Sequence, residues 1–126
     1  DGWIPVDSLT LETSFAGVYA IGDVTSVGTP KAGVFSEGQG SVVADAIAAR
    51  IESGAGTGAG SGAGVRTYGG NGVCYMEFGD EQVARVDVTF LSGQAPFGQF
   101  DPASTEFSAD KDEFVTSRLA RWFGAG

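Results

Sequence analysis

Histidine is absent from this chain, and cysteine occurs once, as Cys74. Without an imidazole there is no Ser-His-Asp relay, and a lone thiol can neither close an internal disulfide nor build a zinc cluster. Cations are scarce as well: 7 Lys and Arg stand against 16 Asp and Glu, a formal charge of −9. Such a surface repels a phosphate backbone, which excludes nucleic acid as an expected partner. Also missing are an apolar run near the ~18 residues that a membrane-spanning helix requires and the basic-then-apolar layout of a secretion signal. The expectation is a soluble cytoplasmic chain, with a peripheral place at a membrane as the alternative. Any chemistry has to be borrowed from a bound group or from residues beyond this chain.

The 126 residues, 42% of them hydrophobic, suffice for one modest domain. The opening Asp1-Gly2-Trp3-Ile4-Pro5-Val6 reads as a turn feeding an extended segment without an initiator Met, as though taken from the middle of a longer protein. Val18-Tyr19-Ala20-Ile21, an apolar run bounded by Gly17 and Gly22, predicts a buried strand. Thr29-Pro30 then predicts a helix start, since threonine is a good N-cap and proline is pre-set for the first helical position. That helix is expected to reach about Ile51, with Val34, Phe35, Val42, Val43, Ala46, Ile47 and Ile51 at helical spacing. Gly33, Gly38 and Gly40 weaken its propensity and suggest close approach by another group.

Residues 53–66 hold the tract SGAGTGAGSGAG and read as a flexible linker between a first region, 1–52, and a second, 67–126. The tract is no phosphate cradle: the dinucleotide fingerprint needs glycines at offsets of two and five, and these all fall on even positions. Beyond it, Val73 to Phe78 and Val83 to Phe90 alternate and predict a hairpin. Cys74, Met76 and Phe78 on one strand, and Ala84, Val86, Val88 and Phe90 on the other, form the face expected to be buried. After a Pro/Gly/Phe-rich loop, Ser108 is the expected cap of a last helix. Asp110, Asp112 and Glu113 early in it and Arg118 and Arg121 late in it suit the helix dipole.

The stretch Thr13 to Asp23 carries the chemistry. A threonine, a glycine four residues on, and an apolar strand ending Ala-x-Gly-Asp resemble the second FAD-binding motif of the pyridine nucleotide-disulfide oxidoreductase superfamily. The resemblance implies a mixed α/β chain: the C-terminal part of a Rossmann-like FAD-binding domain, then a small α+β segment of hairpin and helix. It implies that the motif's glycine lets the cofactor approach the backbone, with Gly22 and Asp23 as cofactor-binding residues and Asp23 accepting a hydrogen bond from a ribityl hydroxyl. The chemistry agrees, because polyol hydroxyls donate and a carboxylate only accepts. Standing alone, a Gly-Asp dipeptide after an apolar strand would as readily be a turn.

Pro30-Lys31-Ala32-Gly33 looks like the segment that in this superfamily opens a helix against the flavin, aiming free backbone N–H groups at the ring edge that becomes negative on reduction. Lys31 would add charge there; its plain alternative is an exposed first-turn lysine. Together with Asn71 to Gly79 and the ending Arg118 to Gly124, these residues resemble the sulfide:quinone oxidoreductase and flavocytochrome c sulfide dehydrogenase branch. That likeness implies an enzyme passing electrons from a small donor, sulfide or NAD(P)H, through FAD to a quinone or other acceptor. It further implies a redox place for Cys74, whose ordinary alternative is a buried small hydrophobe. Sulfide chemistry would need a partner cysteine, and NAD(P)H its phosphate-binding glycines, from an N-terminal part outside this sequence. Competing expectations are a non-sulfide NAD(P)H:acceptor oxidoreductase, similar to type II NADH dehydrogenases or ferredoxin reductases, and a structural or homodimerising module presenting Phe97, Phe100, Trp122 and Phe123.

Overall fold

The structure is a computed structural model that describes residues 2–54 and 65–124. The stretch expected to be a linker lies largely outside the described residues. The chain is mixed α/β. It has helix α1, Gly33–Glu52, then strands β1, Asn71–Glu77, β2, Val83–Thr89, and β3, Phe97–Ser104, and finally helix α2, Glu106–Phe123. The strands form one antiparallel sheet in the order β1-β2-β3. No helix among the described residues is long and apolar enough to cross a membrane. Two compact units divide the chain: residues 1–72 with 88–97, and residues 73–87 with 98–126.

In the first unit Leu11, Val27, Val42 and Tyr68 form a sealed apolar cluster with Val6 and Val43 packed against it. Helix α1 turns Phe35, Gln39, Val42 and Ala46 inward, the i, i+4, i+7, i+11 stripe of an amphipathic helix. Its start corrects the sequence-based expectation. The Thr29 side chain is buried and takes a hydrogen bond from Gln39 instead of capping, Pro30 precedes the helix, and an extended Ala32 with no side-chain cap is the N-cap residue. The buried strand expected at Val18 to Ile21 is also corrected. Residues 11–13 and 18–20 pair only through a single antiparallel bridge, Glu12 with Tyr19, and Val18 and Ile21 are exposed. One short partner on one side is too little ladder to make a central strand.

In the second unit the hairpin stands where expected and Ala84 is buried as expected, but on β1 the faces are reversed. Helix α2 lies on the more polar side. The Tyr75 ring meets Phe114 edge-on at 5.5 Å, Lys111 Nζ sits 2.7 Å from Glu77, and Arg85 Nη1 is 3.2 Å from Asp110. On β1 this leaves Cys74, Met76 and Phe78 exposed. The burial expected of Cys74 is therefore overturned: ion pairs and one aromatic contact chose the face that alternation alone left open. Helix α2 begins two residues before the expected cap, and the Glu106 amide donates to Ser104 Oγ at 3.0 Å, with Ser108 inside the helix. It ends at Gly124, left-handed at φ 64°, whose N–H reaches the Ala120 carbonyl. Strand β3 replaces the expected loop. Pro102 is tolerated because β3 is an edge strand.

Candidate functional site

Gly22 to Val24 form a single 3-10 turn between extended Ile21 and extended Thr25. Gly22 has φ +80°, a region that costs an L-residue about 1–2 kcal/mol, and a Cβ there would come within 3.3 Å of Ser36 Oγ. Three sets of bonds hold the turn. Its own closure comes from Thr25, whose N and Oγ1 donate to the Gly22 carbonyl at 3.2 and 2.9 Å. Toward the N-terminal segment, Ile4 N donates to the Val24 carbonyl at 2.8 Å, and Ser26 N donates to the Ile4 carbonyl at 3.0 Å. On the side of α1, the Gly22 N–H donates to Gln39 Oε1 at 2.6 Å.

Asp23 is the exposed middle residue of this turn, and its carboxylate makes no hydrogen bond or ion pair among the described residues. It sits on a turn packed against α1, not at the end of a buried strand as expected. The opening of α1 belongs to the same unit, and its first turn meets Gly22 through Ser36. Ala32 N donates to the Pro30 carbonyl, and the Phe35 and Ser36 amides donate to the Ala32 carbonyl at 3.1 and 3.3 Å. The Gly33 and Val34 amides are thereby left without an intrahelical acceptor, as the first turn of any helix requires. Beside Gly33 the space is open, since a Cβ placed there meets nothing within 4 Å.

Lys31 has a different employment. Its Nζ donates to the Thr25 carbonyl at 2.8 Å and lies 4.2 Å from the centre of the Trp3 ring, so the amine ties the loop after the turn to the N-terminal segment. The space beside Gly17 is likewise taken, by the Arg50 guanidinium 3.3 Å from where a Cβ would be. Arg50 Nη1 binds Glu12 at 3.0 Å and Tyr19 Oη at 3.2 Å, and these two partners, Tyr19 foremost, raise the Arg50 pKa. Cys74 belongs to the other unit.

The structure thus packs the Gly22–Val24 turn, with Asp23 exposed on it, against α1 at Ser36 and Gln39. A carboxylate free to accept, and two helix-terminal amides free to donate, form a donor and acceptor set suited to a polyol and to a ring that gathers negative charge. Gln39 was missed by sequence reading. Its signal was there, a polar residue at the second position of an otherwise apolar helical face. Comparisons with protein-family models, with curated proteins and with solved structures found no match.

Proposed function

We propose that this chain is the C-terminal part of an FAD-dependent oxidoreductase, contributing the end of a Rossmann-like flavin domain and a small hairpin-and-helix segment. The observation that carries the reading is the Thr13 to Asp23 pattern ending in a rigidly held turn with an uncommitted carboxylate beside a helix N-terminus. FAD, when bound, would supply the two-electron chemistry linking a small donor, sulfide or NAD(P)H, to a quinone or other acceptor. Asp23 would accept a hydroxyl hydrogen bond from the ribityl chain, and Gly22 would let the turn reach it. The Gly33 and Val34 amides, backed by the dipole of α1, would favour the anionic ring by roughly 1–2 kcal/mol in a partly buried site. Lys31 would act through the loop it ties down. Cys74, exposed on β1, is accessible to reagents, and a sulfide role for it requires a second cysteine from elsewhere in the protein.

The visible absorption of the purified full-length protein tests this. A flavin spectrum that survives gel filtration is the expected result, and a colourless protein that takes up no added FAD would refute the reading. Sulfide-dependent bleaching of that spectrum in wild type and in Cys74→Ser separates a sulfide donor from NAD(P)H. A non-catalytic partner-binding module is the second reading, favoured by the exposed apolar stripe Val115, Leu119, Trp122 and Phe123 on α2. A place at a membrane surface would use the same stripe.

A further inference from the structure

We propose that Gln39 is the positioning residue of the Gly22–Asp23 turn, fixing where the Asp23 carboxylate is presented; its link to the cofactor rests on the flavin reading above. Gln39 is 1% exposed and stands on the inner face of α1 between Phe35 and Val42. A buried glutamine in a row of apolar residues is costly unless its amide is satisfied. Here each end of the amide has work. Oε1 accepts the Gly22 N–H at 2.6 Å, and Nε2 lies 3.3 Å from Thr29 Oγ1 and 3.5 Å from Tyr68 Oη.

Those partners come from separate stretches of chain. Gly22 opens the turn, Thr29 precedes the helix N-terminus, and Tyr68, 3% exposed, is anchored through its own amide to the Leu9 carbonyl at 2.8 Å. One side chain therefore sets the turn and the approach to α1 in a common frame. The shortest of its bonds falls on the residue directly before Asp23. Because the Gly22 N–H is held on the α1 side, the left-handed backbone of Gly22 cannot rotate without breaking a short, half-buried hydrogen bond, and the direction of Asp23 follows. Shape alone does not explain the residue. Methionine has the same length and would fill the space, yet has no oxygen for the Gly22 N–H. Glutamate keeps that oxygen, and burial favours its neutral form, whose single O–H can donate to one of the two partners of Nε2.

The test is amide hydrogen exchange at Gly22, read by NMR in the full chain for wild type, Gln39→Met and Gln39→Glu, with FAD affinity measured on the same proteins. Exchange at Gly22 is expected to rise by about tenfold in Gln39→Met relative to the interior amides of α1 and to return toward wild type in Gln39→Glu. FAD affinity is expected to follow the same order. Unchanged Gly22 exchange in a folded Gln39→Met, or a Gln39→Glu that behaves like Gln39→Met, overturns the proposal. Tyr68→Phe removes only a hydroxyl and gives a second route should Gln39→Met fail to fold: faster Gly22 exchange supports the anchor, and unchanged exchange overturns it. If Gly22 responds but wild type takes up no FAD, the flavin reading falls and the anchor stands.

Discussion

In the first unit Leu11, Val27, Val42 and Tyr68 are each at most 3% exposed, and a buried glutamine is hydrogen-bonded at both ends of its amide. Helix α2 of the second unit, by contrast, has no buried residue. It is held to its sheet by Arg85 with Asp110, Lys111 with Glu77 and the Tyr75–Phe114 contact, while Arg118 lies 3.5 Å over the Phe114 ring. Apolar burial scales with area and is not screened by salt, whereas half-exposed ion pairs are weak and screened. The region that carries the candidate site is thus the one built for fixed geometry. The other buries Val83 and Ala84, but it holds α2 by contacts that conditions can loosen, and α2 leaves Val115, Leu119, Trp122 and Phe123 outward.

Leu11→Ala should show the largest effect. Leu11 is fully buried, so its truncation is expected to cost about 2–5 kcal/mol, whereas Leu119→Ala on α2, at 45% exposed, should stay within about 0.5 kcal/mol. Urea denaturation of both variants measures this, and equal losses would erase the contrast. Next comes Gly22→Ala, which forces an L-residue into the left-handed region against Ser36 and should cost about 1–2 kcal/mol by the same measurement. A neutral result would mean the turn is free to change its backbone.

Asp110→Asn should come third. Arg85 and Asp110 are 33% and 44% exposed, so after allowance for solvent screening the pair is worth about 0.2–1 kcal/mol. Its effect should vanish in about 1 M salt. A loss that persists in salt would place α2 among the buried-core elements. The smallest expected effect is at Asp7, whose carboxylate is held below the ordinary aspartate range by the backbone N–H of Thr10, then that of Leu9. A depressed folded value means the stabilisation is complete above the ordinary value of ~3.9 and is lost as pH falls through the lower folded value. Denaturation at about pH 6 and about pH 3 should therefore show a slightly smaller acid loss in Asp7→Asn than in wild type.

The elements with strong local periodicity were legible: α1 over most of its length, the β1–β2 hairpin and α2. Their edges were not, because capping depends on which hydroxyls are free. Thr29 is occupied by Gln39, and Ser104, not Ser108, meets the first amide of α2. Strand β3 hid because Gly98 and Pro102 depress β propensity and its exposed residues leave no alternation to read. The wrong face was assigned to β1 because alternation says which residues share a side, not which side a helix will cover. At the candidate site the sequence named Gly22, Asp23 and the start of α1. The work of Lys31, Arg50 and Gln39 depends on long-range contacts that no local pattern carries.

FAD titration of the full-length protein and of its Asp23→Ala variant, followed by quenching of flavin fluorescence, tests the central claim most directly. Losing one charge-assisted hydrogen bond of about 1.5–3 kcal/mol should weaken binding by roughly ten- to a hundredfold, with urea stability unchanged because the Asp23 side chain is exposed and uncommitted. Equal FAD affinity in the two proteins, or no binding in either, would contradict it.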